Sequence, residues 1–145
     1  MINSMLDTPI RIIVDTNLWI SFLIGRHLHV LLDVLDNPLF ELITTERLRQ
    51  EILSVARRPK FQQYFGEQQI QNLEHWFTYK ATEIEIGEVT VHCRDPKDDY
   101  LLQLAIDSKA IYLVSGDNDL LSIGEIQGCR IMTIEQFQAE IANFI

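Results

Sequence analysis

Ile12-Ile13-Val14 is an unbroken β-branched apolar run, the pattern of a strand buried on both faces of a parallel sheet, and it predicts a strand at about 10–14. Three polar positions follow, Asp15, Thr16 and Asn17, and then "LWISFL", whose helical spacing predicts a helix at about 16–24. The same change of period recurs. "HLHVLLDVLD" is helical and ends at Asn37-Pro38, and "LFELIT" at 39–44 is a strand. "TERLRQEILSVARR" at 45–58 is a helix with Leu48, Ile52 and Val55 on one face, capped by Thr44 or Thr45 and stopped by Pro59. "GEQQIQNLEHWFTYKA" at 66–81 is a helix burying Ile70, Leu73 and Phe77, with Trp76 at the margin. "TEIEIGEVTVHC" at 82–93 alternates without marking out a clean strand. "DPKDDYLLQLAIDSKA" at 95–110 is a helix with Pro96 in its first turn, where proline is tolerated. "IYLVS" at 111–115 is a strand, "GDNDLLSI" opens a short helix, a last strand falls at about 129–132, and "TIEQFQAEIANFI" closes the chain as a helix. Strands alternating with helices predict an α/β fold around a central, mainly parallel sheet of four to five strands.

In such a sheet, ligands bind at the carboxyl ends of the strands. Asp15 follows the first strand there, and Asp117 and Asp119 follow "IYLVS". The helix leading into that strand opens with Asp95, Asp98 and Asp99, and Glu51 borders the buried face of its own helix. Each acid has an ordinary role open to it. Asp15 and Asp117 can cap helices, Asp98 and Asp99 complement a helix dipole, and Glu51 can pair with Arg47 or Arg58. Taken together they place several carboxylates at one sheet edge. Crowded like charges raise one another's pKa unless a cation is present. With no His or Cys partner in the set, the fitting ions are Mg²⁺ or Mn²⁺, not Zn²⁺.

Composition narrows the field further. The chain has 145 residues, enough for one domain, taken as 1–145 with about 1–9 as a short tail. Hydrophobic residues make up 47% and charged residues 23%, an ordinary globular mix. No apolar run is long enough to cross a bilayer, and "MINSMLDTP" lacks the features of a secretory signal. Cys93 and Cys129 suggest a reduced compartment, so a cytoplasmic location is expected and no membrane partner. The net charge of −9 argues against a broad basic footprint for nucleic acid, although a bound metal supplies local positive charge and Arg57, Arg58 and Lys60 are candidate phosphate contacts. The two histidines of "HLH" face different sides of a helix, and His92-Cys93 stands without a CxxC, so zinc is disfavoured. There is no GxSxG elbow, P-loop or GxGxxG. An aspartyl phosphatase would need a second acid two residues after Asp15, where Asn17 stands.

"RIIVDTNLWISFL", "EILSVARRPKF", "CRDPKDDYLLQLAIDSKAIYLVSGDNDLL" and "IMTIEQF" resemble the PIN-domain family, in the branch of toxin components of toxin–antitoxin systems. The resemblance runs from about residue 10 to the end. It implies a three-layer α/β/α fold and a Mg²⁺- or Mn²⁺-dependent ribonuclease. The acids it implies are Asp15, Glu51, Asp98 or Asp99, and Asp117, with Asn17, Ser115 and Asp119 in support. It also implies an RNA substrate, a homodimer and a cognate antitoxin that covers the site. In that reading the ion lowers the pKa of a water and neutralises phosphate charge, and no covalent protein intermediate is needed. The chain departs from the family in its low basic content. The rival expectation is a PIN-fold module that binds RNA or protein with little or no catalysis.

Overall fold

The computed structural model describes residues 8–143; most of the expected N-terminal tail and the last two residues of the expected closing helix lie outside them. The apolar run becomes β1 (Ile10–Val14), in which Ile12 and Ile13 are wholly inaccessible. It is covered on both sides because it pairs in parallel with β2 (Phe40–Thr44) and with β4 (Tyr112–Val114). Beyond β4 lies β6 (Cys129–Met132), also parallel.

Two further strands make the sheet six-stranded, one more than the upper expectation. β3 (Ala81–Glu83) adds a parallel edge beside β2, and β5 (Glu125–Ile126) pairs antiparallel with β6, giving the order β3-β2-β1-β4-β6-β5. Both are too short for alternation to register. The β5–β6 hairpin turns through Gln127 and Gly128, both at positive φ (45° and 87°), as a tight two-residue turn between right-twisted strands requires.

The helices are α1 (Thr16–Ile24), α2 (Leu28–Asp36), α3 (Glu46–Ala56), α4 (Glu67–Tyr79), α5 (Asp99–Ser108), α6 (Asn118–Leu121) and α7 (Ile134–Ile141). Trp19 anchors α1 directly behind the β1 carboxyl end: its indole N–H donates to the Val14 carbonyl at 3.1 Å, and its ring meets Phe22 and Phe77 edge-on. Gly25, at φ 109°, ends α1 by returning its N–H to Ser21 and Phe22, a left-handed cap that suits glycine.

Several boundaries differ from the sequence expectation. Thr45 holds the N-cap position of α3, but its side chain makes no capping hydrogen bond. α3 stops at Ala56, three residues before Pro59, which instead opens a 3-10 turn, Pro59–Phe61. The helix expected from residue 95 begins as a separate 3-10 turn, Pro96–Asp98, and becomes α-helical only at Asp99. α7 opens with a reciprocal cap, in which Thr133 Oγ1 accepts from the Gln136 N–H and Gln136 Oε1 accepts from the Thr133 N–H.

Candidate functional site

The strand order reverses between β1 and β4. From β1 the chain steps to β2 and β3, and after β4 it steps the other way to β6. The carboxyl ends of those two neighbours flank the crevice where an open α/β sheet takes its ligand. Asp15 stands at that point and is 7% exposed, its N–H continuing the ladder to the Val114 carbonyl at 3.0 Å. It does cap α1, since Oδ1 accepts from the Thr16 N–H at 2.6 Å. Its other oxygen, Oδ2, reaches across to β4 and accepts from the buried Ser115 hydroxyl at 2.8 Å. Burial raises the Asp15 pKa; the Ser115 and Thr16 hydrogen bonds pull it back, and the Asp117 and Glu51 charges push it up again.

Ser115 is a joint between two acids. Its Oγ donates to Asp15 and accepts the backbone N–H of Asp117 at 3.0 Å. Asp117 caps α6 through the Asp119 N–H at 2.9 Å. Asp98, on the 3-10 turn before α5, faces Asp117 and Asp15. Its pKa is pushed up to about 7, first by burial, then by the facing Asp117 carboxyl, with Asp15 and Asp95 adding. Asp98 Oδ2 is buried with no hydrogen-bond partner.

Glu51 approaches from α3 on the other side. Its Oε2 accepts from Thr16 Oγ1 at 2.6 Å and from the Tyr100 hydroxyl at 2.7 Å, not from Arg47 or Arg58. Arg47 instead lies over the Tyr100 ring, 4.1 Å from its centroid. Burial and Glu51 together raise the Tyr100 pKa, so the phenol stays a donor.

The doublet is therefore split. Asp98 joins Asp15 and Asp117, whereas Asp99 turns away: its Oδ1 accepts from the Cys93 N–H at 2.7 Å and its Oδ2 lies 3.3 Å from His92 Nδ1. Those two contacts hold its pKa below the ordinary carboxylate value. Asp119 pairs with Arg94 at 3.7 Å. Asn17 is exposed and its side chain bonds none of the described residues. Arg57 is bound to Glu67 and Glu74, Lys60 lies over Phe61, and with Arg58 they sit beyond the far end of α3, roughly 9 Å further along the helix axis than Glu51. Sequence reasoning missed Thr16 and Tyr100 as the holders of Glu51. The signal available was a hydroxyl immediately after each of two of the candidate acids, Asp15 and Asp99.

Among the described residues, no three acidic, His or Cys side chains close tightly enough to make a finished ion cage. The donor set nevertheless suits a hard ion. It offers carboxylate oxygens only, one of them buried and unpartnered, and two facing carboxyls whose crowding disfavours the ionised form of Asp98. Mg²⁺ typically takes one or two carboxylates and completes its shell with water and substrate phosphate.

The architecture is that of an open, mainly parallel α/β domain with an acidic crevice at its switch point. A family profile for the PIN domain matches residues 11–119, a span that includes Asp15, Glu51, Asp98 and Asp117, and the chain belongs to the PIN-domain family. PIN domains are generally nucleases that act on RNA with a divalent metal ion. An uncharacterised protein of Methanocaldococcus jannaschii is 30% identical over 117 residues, covering 79% of this chain and 75% of that protein. The PIN domain of T. brucei RRP44 superposes with a TM-score of 0.48 at 15% identity, over 94% of this chain and 83% of that one. No single described helix is long and apolar enough to cross a membrane.

Proposed function

We propose that this protein is a Mg²⁺- or Mn²⁺-dependent ribonuclease that hydrolyses RNA phosphodiester bonds at the β1–β4 edge. The observation that carries the reading is the trio Asp15, Asp98 and Asp117, two of whose carboxyls are forced together beside a third that is buried. Such a cluster is costly alone and favourable around a cation. The bound ion would supply an activated water and neutralise charge on the phosphate. Asp98 and Asp117 would hold it, Asp15 would stand behind them with its orientation set by Ser115 and Thr16, and Glu51 would bind directly or through water, held by Thr16 and Tyr100. Asp99 has no part in holding the ion in this assignment.

The biological role in this reading is that of a type II toxin, dimeric, cytoplasmic and silenced by a cognate antitoxin lying over the acidic edge. That part rests on the resemblance of the motifs. It is tested by whether a small gene beside this one encodes a protein that binds the chain and blocks cleavage.

The activity is tested with purified protein and end-labelled RNA. Cleavage should require Mn²⁺ or Mg²⁺, stop in EDTA, and fall by at least about a hundredfold in Asp15→Asn and Asp117→Asn while both variants remain folded. RNA that is bound but never cut, with every divalent ion tried, would refute the nuclease reading and leave a binding module.

A further inference from the structure

The segment between β3 and α5, residues 84–95, forms no strand, yet it is tied down along its length. Three of its backbone N–H groups donate to side chains of one helix face. Gly87 N–H reaches Asp107 Oδ2 at 2.8 Å, Thr90 N–H reaches Gln103 Oε1 at 2.8 Å, and Cys93 N–H reaches Asp99 Oδ1 at 2.7 Å. The helix contributes every fourth residue and the strap every third, so the strap runs antiparallel to α5 in an extended form without a β partner. Gln103 is the middle rung. It is 5% exposed, also accepts the Thr90 hydroxyl at 3.0 Å, and donates through Nε2 to Asp107 at 2.9 Å. Val91 and Cys93 pack against the core, while His92 between them faces out.

The strap ends on the turn that carries Asp98. Cys93 Sγ donates to the Asp95 carbonyl at 2.8 Å, and the Asp98 N–H returns to that same carbonyl at 3.0 Å. The path of the chain into Asp98 is thus set on one side by the last rung, Asp99 to Cys93, and on the other by the start of α5. A structureless connection of this length would otherwise leave the turn free to move.

We infer that Asp99, Gln103 and Asp107 form a ladder on α5 that lashes residues 84–95 in place and thereby positions Asp98 for the cation; they are positioning residues, not ligands. The inference rests on the proposed metal site and names what holds it in shape. It also gives the polar face of a largely buried helix a purpose. An amide and two carboxylates on this face each satisfy a backbone donor of the strap that has no strand to pair with.

The test uses the full chain and two variants. Gln103→Met keeps the size of the middle rung and removes its acceptor and donor. Gln103→Glu combined with Asp107→Asn rebuilds the rung with the polarity of the pair reversed: the new carboxylate accepts from Thr90 and from the new amide, which still accepts from Gly87, and net charge is unchanged. Amide hydrogen exchange should show protection lost at Thr90 and Cys93 in Gln103→Met, with β1 and β4 amides still protected. Mn²⁺ affinity measured by calorimetry should fall about tenfold or more, as it does when groups orienting a ligand are removed. The double variant should recover both. If the strap loosens in Gln103→Met and Mn²⁺ affinity stays at the wild-type value, or if the strap amides remain protected, the inference is overturned with the metal site intact. If the wild-type chain itself binds no Mn²⁺, the metal-site reading falls first and this one with it.

Discussion

Asp98→Asn removes one charge from the acidic edge with almost no change of shape, and without divalent ions it should stabilise the fold. Burial and the facing Asp117 carboxyl move the Asp98 pKa from 3.8 up to about 7. Because the folded value exceeds the unfolded one, the folded chain holds that proton more tightly. Its contribution is fully present at low pH and is lost as pH rises through the window from about 4 to about 7. Carried over in full, the displacement sets a ceiling of about 4 kcal/mol. Asp98 is only half-buried, and screening by water reduces the working figure to about 1–2 kcal/mol. The new amide can also donate to Asp117, so the contact no longer needs a bound proton. Urea unfolding in EDTA should therefore show the variant more stable than wild type at about pH 8, with a melting temperature higher by about 3–7 °C, and no more stable at about pH 4. Millimolar Mn²⁺ should raise the midpoint of the wild type and leave the variant nearly unmoved. A variant that is no more stable at the higher pH, or whose gain is the same at both, would show that Asp98 and Asp117 do not repel. A variant stabilised by Mn²⁺ as much as wild type would remove Asp98 from the ion.

Ser115→Ala strips the buried Asp15 Oδ2 of its donor and the Asp117 N–H of its acceptor, and should cost about 1–3 kcal/mol in urea unfolding. Since the Ser115 bond favours the ionised form of Asp15, the loss should be larger at neutral pH than in acid; an equal loss at both would mean Asp15 is neutral in the fold. Tyr100→Phe deletes one of two donors to Glu51 and should cost about 0.5–1.5 kcal/mol, with a rise in the Mn²⁺ concentration needed for half-maximal cleavage. No change in that metal requirement would separate Glu51 from the ion. Arg57→Ala breaks exposed pairs with Glu67 and Glu74, so its stability change should stay within about 1 kcal/mol and cleavage should be unaffected. A clear increase in KM for RNA would restore the phosphate-contact role that its sequence position suggested.

What could be read from the chain alone divides along physical lines. β1, β2 and the faces of α3 and α4 were legible because burial sets a pattern over five or more residues, and β4, though three residues long, because all three are apolar and buried. β3 and β5 were not, because they are short edge strands of three and two residues, none of them fully buried, and carry no apolar signal. The acids at the strand ends were legible as a set, since a carboxylate directly after a buried strand stands out. The choice between Asp98 and Asp99 was not. Adjacent helical residues point about 100° apart, and the 3-10 turn that decides which faces the crevice is fixed by bonds from residues 93 and 95. Capping and holding a ligand are not exclusive roles for Asp15. A carboxylate has two oxygens, and here one caps α1 while the other is held by a hydroxyl a hundred residues away. A cap is a local fact that sequence can reveal. The second oxygen's partner is a tertiary fact, and it is the one that bears on chemistry, because it fixes the direction in which a buried negative charge is presented to the crevice.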